Sequence, residues 1–368
     1  MVYADYAATS GYHSEKVINA VIAAMRKPGN AGRGSHDASL CAARTVYDAR
    51  CAVSGLFDCD NPENVSFTSG ITMSLNIAIK GLLEPGDNVI TTYAEHNSVL
   101  RPLYEMEKRG VSVSIVPPDT ECIRGAVRHD TKAVVMTCAS NVTGDIYDFG
   151  GVGQMCRENG IIFIADTAQC AGVYPVSMKR DCIDVLCFTG HKGIMGPQGT
   201  GGIAVRNGIK IKPLVTGGSG VHSFSKAHPD EMPVRLEAGT LNTPGIAGLA
   251  AAISEAGSGN DDGIRYAEMF YDGIKDLREI RFYGDYSDWN KRTSIVAFNI
   301  GDYGSADVSR ELSERFGIDT RAGAHCAPLM HEYLGTKEQG IVRMSFGKGN
   351  NENEIRQCID AVRTLVLE

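Results

Sequence analysis

The sequence predicts an α/β fold built on a largely parallel sheet, with a smaller α/β domain at the carboxyl end. Three observations carry this. Short apolar runs alternate with segments of helical spacing from residue 64 onward. The runs are near-continuously apolar, as strands covered by helices on both faces must be. The chain has 368 residues, more than one hydrophobic core accommodates, so two domains are expected.

The elements follow in order. Asn64–Thr68 reads as a strand, and Thr72–Leu83 as a helix with apolar residues at Leu75, Ala78, Ile79 and Leu82. Asn88–Tyr93 and Val111–Val116 are strands flanking a helical stretch, Val99–Lys108. Lys132–Cys138, Ile161–Asp166 and Val185–Thr189 are three further strands. Such alternation implies right-handed crossovers, and ligands bind such sheets beyond the carboxyl ends of the strands. The stretch from Thr216 through His228 reads as a loop. Past Ala247 the chain turns helical. Ser294–Asn299 and Ile341–Phe346 then read as strands, Ala306–Phe316 and Glu352–Leu365 as helices. The expected division is 1–250 and 251–368, with the first ~30 residues packing on the second domain.

Bulk properties narrow the function. A net charge of -8 and a pI near 5.6 argue against nucleic acid or an anionic membrane as partner. Residues 1–5 lack the basic and apolar regions of a signal peptide, and no apolar run reaches the roughly 18–20 residues of a membrane helix. The eleven cysteines are an odd number and none are paired at CxxC spacing. Neither a zinc site nor a dithiol centre is suggested, and a reducing cytoplasm is the expected setting.

Polar residues cluster where the strands end. Phe188-Thr189-Gly190-His191-Lys192 places a lysine just past a buried strand. Alone it reads either as an ordinary solvated lysine in a loop or as one desolvated beside a cofactor, whose neutral amine forms a Schiff base. Asp166 ends another strand, where an acid can cap a helix or keep the pyridine nitrogen of pyridoxal 5'-phosphate (PLP) protonated. Thr68-Ser69-Gly70-Ile71-Thr72 runs from strand into helix, a place that favours a phosphate. Glu95-His96-Asn97 follows the next strand, and His96 offers a flat ring for stacking.

In this order the segments closely resemble the class V aminotransferase family of PLP fold type I, in the branch of the cysteine desulfurases and selenocysteine lyases. The resemblance runs over nearly the whole chain. It includes Asp5-Tyr6-Ala7-Ala8-Thr9, residues 30–36, Ser140-Asn141-Val142-Thr143-Gly144 and Glu237-Ala238-Gly239-Thr240-Leu241-Asn242. It implies a seven-stranded, mostly parallel sheet in the large domain. By motif position, Lys192 carries the Schiff base, Asp166 pairs with the pyridine nitrogen and Gln169 with the phenolic oxygen, and His96 stacks on the ring. Thr72, Thr189 and His191 hold the phosphate, with Thr240 reaching over from the second subunit of a homodimer. Asn141 contacts cofactor or substrate carboxylate, and Arg343 binds that carboxylate. Ile71 stands where many relatives have a phosphate-binding threonine, which implies a reduced phosphate cup.

The choice of reaction rests on Cys326, in Arg321-Ala322-Gly323-Ala324-His325-Cys326-Ala327-Pro328-Leu329. Most free cysteines are buried small hydrophobes. Here the surroundings are Gly/Ala-rich, with His325 and Arg321 nearby, and an exposed electropositive setting makes a thiol nucleophilic. The segment resembles the RxGxHCxxPL signature of the desulfurase branch with the shorter loop, in which this cysteine takes sulfur from L-cysteine and passes it to an acceptor. Ala324 departs from it, since many relatives have a second histidine there. The resemblance implies a cysteine desulfurase. Selenocysteine lyase and another class V enzyme, an aminotransferase, carbon–sulfur lyase or epimerase, are the alternatives, and a non-catalytic PLP-binding protein is disfavoured by the presence of both Lys192 and Asp166.

Overall fold

A computed structural model describes residues 1–27, 29–32, 34–255 and 261–368. Arg33, within the 30–36 motif, lies outside the described residues. The chain opens with a short strand, β1 (Val2–Tyr3), and two helices, α1 (Glu15–Arg26) and α2 (Asp37–Phe57). Among the described residues a sheet of seven strands follows. They are β2 (Val65–Thr68), β3 (Asn88–Thr92), β4 (Ser112–Val116), β5 (Thr131–Thr137), β6 (Ile162–Asp166), β7 (Val185–Thr189) and β8 (Gly201–Val205). Helices α3 (Ile71–Leu82), α4 (Asn97–Glu107), α5 (Thr120–Gly125) and α6 (Phe149–Glu158) supply the crossovers. The spatial order is β2-β8-β7-β6-β5-β3-β4, and β8 alone runs antiparallel to its neighbours.

Alternation along the central strands builds two cores. Val134 and Met136 of β5, Phe163 and Ala165 of β6 and Leu186 and Phe188 of β7 enter one apolar cluster with α2 and α6. Ala133, Val135, Ile164, Val185 and Cys187 enter the other, with α3 and α4. This period-2 division, apolar on both faces, is what a helix-covered parallel sheet demands. It also fixes register, since a one-residue slip would exchange the two faces.

The remaining elements are α7 (Thr243–Glu255), α8 (Asp261–Ile274), β9 (Ile280–Tyr283), β10 (Ile295–Ile300), α9 (Ser305–Phe316), β11 (Ile318–Asp319), α10 (Pro328–Leu334), β12 (Val342–Ser345) and α11 (Glu352–Leu367). Strands β12, β10 and β9 form an antiparallel sheet in that order. Its cluster gathers Phe270, Phe298, Leu312, Ile355 and Val362, and Val2 and Ala4 join it. Accordingly β1 pairs in parallel with β11, and Asp5 bridges Ser345 of β12. The start of the chain is thereby tied to its last strand.

Candidate active site

Strands β2, β3, β5, β6 and β7 point the same way, so Thr68, Thr92, Thr137, Asp166 and Thr189 end on one edge of the sheet. The polar segments singled out from sequence leave from that edge. Thr189 is followed by Gly190, His191 and Lys192, in the turn that leaves β7.

Lys192 lines a cavity with Tyr6, Ala7 and Gln169, which brings the N-terminal motif against the lysine. Burial pulls the Lys192 ammonium down to about 8; Asp166 opposes this, while Arg343 and Arg321 add to it. A lysine at that value keeps an appreciable minority of neutral amine near physiological pH, the form that adds to a carbonyl, where an ordinary lysine keeps almost none. Asp166 is buried, and its Oδ1 accepts the Ala168 N–H at 2.9 Å. Burial raises its pKa, and the Ala168 hydrogen bond and Lys192 counteract that. A buried carboxylate of this kind stabilises a cationic N–H placed against it.

His96 caps α4, its Nδ1 accepting the Ser98 N–H at 3.0 Å. In the neutral ring the proton therefore sits on Nε2. Burial first, then Lys192 and Arg321, hold His96 down to about 4, so it is neutral. Ser98 Oγ lies 2.9 Å from His96 Nδ1 and 2.8 Å from Thr72 Oγ1, joining the start of α4 to the start of α3. Gly70 caps α3 without a side chain, at φ 145, which leaves the first N–H groups of that helix open to an anion. A Cβ added there would stand 3.7 Å from Thr189 Oγ1, so Thr189 lies beside the residue that opens this helix, and Thr72 belongs to its first turn. Ile71 instead packs into the apolar cluster beneath α3.

His191 Nδ1 is 3.1 Å from Thr9 Oγ1, and burial holds its pKa down to about 4. The Gln169 amide donates to the Ala7 carbonyl at 3.2 Å. Thr240 is exposed in this chain and lines a separate cleft with Asn30, Arg50 and Glu237.

Arg343 reaches the site from β12. Its Nη1 donates to the Asn141 carbonyl at 2.7 Å and its Nη2 to Asp5 Oδ1 at 2.9 Å. Its Nε is buried and, among the described residues, has no hydrogen-bond partner. A buried guanidinium N–H left open is costly, and a carboxylate ligand would satisfy it.

Cys326 is exposed, in a turn just before α10, and both His325 and Cys326 adopt left-handed backbone conformations, at φ 47 and 56. Side chains other than glycine resist that region, so the turn is held by its bonds. The Cys326 carbonyl accepts the Asn97 N–H at 2.7 Å, one residue from His96. The His325 carbonyl accepts the Asn141 amide at 2.7 Å. His325 Nε2 lies 2.9 Å from the Ile341 carbonyl, and burial holds the ring down to about 3. His325 is thus a neutral anchor of the turn, and the charges that act on its ring are those of Arg343 and Arg321.

The carboxylate partners were not legible as functional. Glu95, beside His96, is fully buried, and Asp5 pairs with Arg343 across 338 residues of sequence. Glu95 carried a signal, a carboxylic acid just beyond the end of a strand. Asp5 carried none beyond its place in the motif, because its partner is so remote along the chain.

Comparison with known proteins gives the architecture its context. The aminotransferase class-V model matches residues 2–358. A probable cysteine desulfurase of Methanothermobacter thermautotrophicus is 31% identical over 344 aligned positions, covering 89% of this chain and 85% of that one. Cysteine desulfurase IscS of Shewanella oneidensis is 31% identical over 389 aligned positions, covering 98% and 91%. Among solved structures, apo cysteine desulfurase from Thermococcus onnurineus superposes with a TM-score of 0.91 at 29% identity, covering 100% of this chain and 94% of that one. The Escherichia coli cysteine desulfurase CsdA gives 0.87 at 26%, covering 99% and 94%. The fold is the PLP fold type I of these neighbours. With the family model spanning nearly the entire chain and the strand-end motifs gathered on one edge, the chain belongs to the aminotransferase class-V family.

Proposed function

We propose that the chain is a PLP-dependent cysteine desulfurase, converting L-cysteine to L-alanine and leaving the sulfur as a persulfide on Cys326 for an acceptor thiol. The observation that carries this reading is the docking of an exposed cysteine onto the lysine site, through the Asn97 N–H to Cys326 carbonyl bond beside His96. The names of the relatives and of the solved neighbours support it.

The residues present fit PLP. Lys192 would anchor it covalently, Asp166 would face its ring nitrogen, Gln169 its phenolic oxygen and His96 its ring face. Thr72, Thr189 and His191, with the open start of α3, would hold the phosphate, completed by Thr240 from a second copy in a homodimer. When bound, PLP supplies an electron sink for charge left on the substrate α-carbon.

The chain's own side chains do the rest. Arg343 and Asn141 would hold the substrate carboxylate. Lys192 Nζ, poised near neutrality, takes and returns the α-proton, a role typically worth ~10²–10⁴-fold. Cys326 Sγ attacks the substrate sulfur. An S–S bond forms as the Cβ–Sγ bond breaks, and a proton takes the place of sulfur on carbon. Cysteine and a thiol thus become alanine and a persulfide, with no outside oxidant. In the same reading the chain divides near residue 250, which the separate apolar cluster around Phe298 and Phe270 supports. We place the protein in the cytoplasm; its eleven cysteines are all unpaired, and among the described residues no helix is long and apolar enough to cross a membrane.

Product analysis of the PLP-loaded protein tests the proposal, with L-cysteine and L-selenocysteine and with or without a thiol acceptor. Alanine and sulfide should form from L-cysteine and fall to background in Cys326→Ala. An absorbance band near the visible edge should vanish in Lys192→Ala. An α-keto acid in place of alanine, or undiminished alanine from Cys326→Ala with L-cysteine, would sink it.

A further inference from the structure

Arg343, Arg321 and Asp5 form a compact charge group. Arg343 and Arg321 face each other across a two-way backbone bridge. Asp5 sits between their side chains, with Oδ1 2.9 Å from Arg343 Nη2 and Oδ2 3.9 Å from Arg321 Nη1. Asp5 is held there by the N-terminal strand: the Tyr6 N–H bonds the Ser345 carbonyl at 3.3 Å and the Ala7 N–H bonds Ser345 Oγ at 2.9 Å. The Tyr3 hydroxyl donates to the Asp5 carbonyl at 3.2 Å. The Arg343 side chain is 3% exposed and that of Asp5 18%. Charges so placed act on one another with little screening.

We infer that Asp5 is a positioning and specificity residue that acts through Arg343, setting how tightly the site holds a carboxylate and restricting it to ligands bearing one. The inference rests on the proposed role of Arg343 in binding the substrate carboxylate. Two guanidinium groups and one carboxylate sum to a single positive charge. One incoming carboxylate neutralises the group. A second negative charge would be left unpaired in a buried place, which is costly. Asp5 also occupies one face of the Arg343 fork, so that guanidinium meets its ligand oriented but already partly neutralised.

Asp5→Asn separates charge from geometry, because the amide oxygen still accepts from Arg343 Nη2. In the PLP-loaded protein, KM for L-cysteine should fall about tenfold with kcat little changed. Equilibrium dialysis should show L-alanine binding tighter by a similar factor, and L-aspartate gaining more than L-alanine. KM for L-cysteine methyl ester, which lacks the carboxylate, should not move. Arg321→Gln, at a half-exposed position, should shift L-cysteine and L-alanine the opposite way, which keeps the test decisive should Asp5→Asn fold poorly. If Asp5→Asn leaves carboxylate affinity unchanged, or weakens the ester and the free acid alike, Asp5 merely supports the strand and the inference is wrong. The dialysis needs no turnover. Tighter L-alanine binding in a protein that releases no alanine from L-cysteine would therefore overturn the desulfurase reading and leave the Asp5 inference standing.

Discussion

At the scale of single residues, Glu95 is a carboxylic acid whose chemistry departs far from its ordinary state. Both its carboxylate oxygens accept the Thr137 N–H, and Oε1 also accepts the Thr92 hydroxyl. Burial outweighs these bonds, and together with nearby Asp166 it pushes the acid up to about 8. Between the ordinary carboxylate range and pH 8, folded protein thus keeps a proton that unfolded chain releases. Stability must fall as pH rises through that window. In Glu95→Gln this contribution disappears. Relative to the parent, the variant should gain roughly 1 kcal/mol per pH unit between pH 5 and 8, read from urea unfolding at fixed steps of pH. Equal slopes in the two proteins would mean that Glu95 is ionised in the fold. Residues of this kind divide sharply in legibility. Lys192, Asp166 and His96 stand in sequence at the ends of strands, where an α/β sheet must place its ligand. Asp5 and the Asn141 bond to the His325 carbonyl depend on contacts between remote segments, and no local pattern announces them.

Among the elements, the strands of the large sheet legible in sequence are those carrying several β-branched or large apolar side chains. Strand β8 is not among them, and the reason is steric. Its Gly201 and Gly202 lie between β2 and β7, where a Cβ at Gly202 would come 2.7 Å from the Phe188 ring and 2.7 Å from the Ser66 carbonyl. The glycines that allow β8 to close between its neighbours also strip it of the β-branched signal by which a strand is recognised. Two-residue β1 is too short for any periodicity to be read, and its pairing with β11 is set by the apolar cluster that takes in Val2. Gly202→Val should therefore destabilise by about 1–3 kcal/mol or more, through overpacking against Phe188. Because β7 leads into Thr189 and Lys192, the variant should also lose PLP more readily on dialysis. Thermal unfolding and the absorbance of retained cofactor measure the two effects, and an unchanged melting temperature would show that β8 can move aside.

Across the whole molecule, the site draws Lys192 and Asp166 from the large sheet and Arg343 and Cys326 from beyond residue 300, so its geometry depends on how those parts are fastened. Arg292 is the most buried fastener. Its Nη1 donates to Asp145 Oδ1 and to the Asp285 carbonyl, and its Nη2 to the Thr143 and Ile295 carbonyls. The guanidinium lies 3.7 Å above the Tyr286 ring, and its side chain has no exposed surface. Asp145 and Thr143 follow β5, next to Asn141, while Asp285, Tyr286 and Ile295 belong to the β9–β10 region. One cation thus ties the segment carrying Asn141 to the sheet carrying Arg343. Replacing it with methionine keeps much of the volume but takes the guanidinium from several carbonyls and from Asp145, which retains the Asp285 N–H, a loss of about 3–5 kcal/mol by analogy with other broken buried pairs. The loss should also appear in function, as a higher KM for L-cysteine, since Asn141 and Arg343 would no longer be held in register. Urea unfolding followed by both far-ultraviolet circular dichroism and cofactor absorbance is the measurement. In the parent the two transitions should coincide, and in Arg292→Met the cofactor signal should be lost first. Coincident transitions at an unshifted midpoint would show that the two regions are fastened elsewhere, by the β1–β11 pairing and the Asp5 bridge to β12.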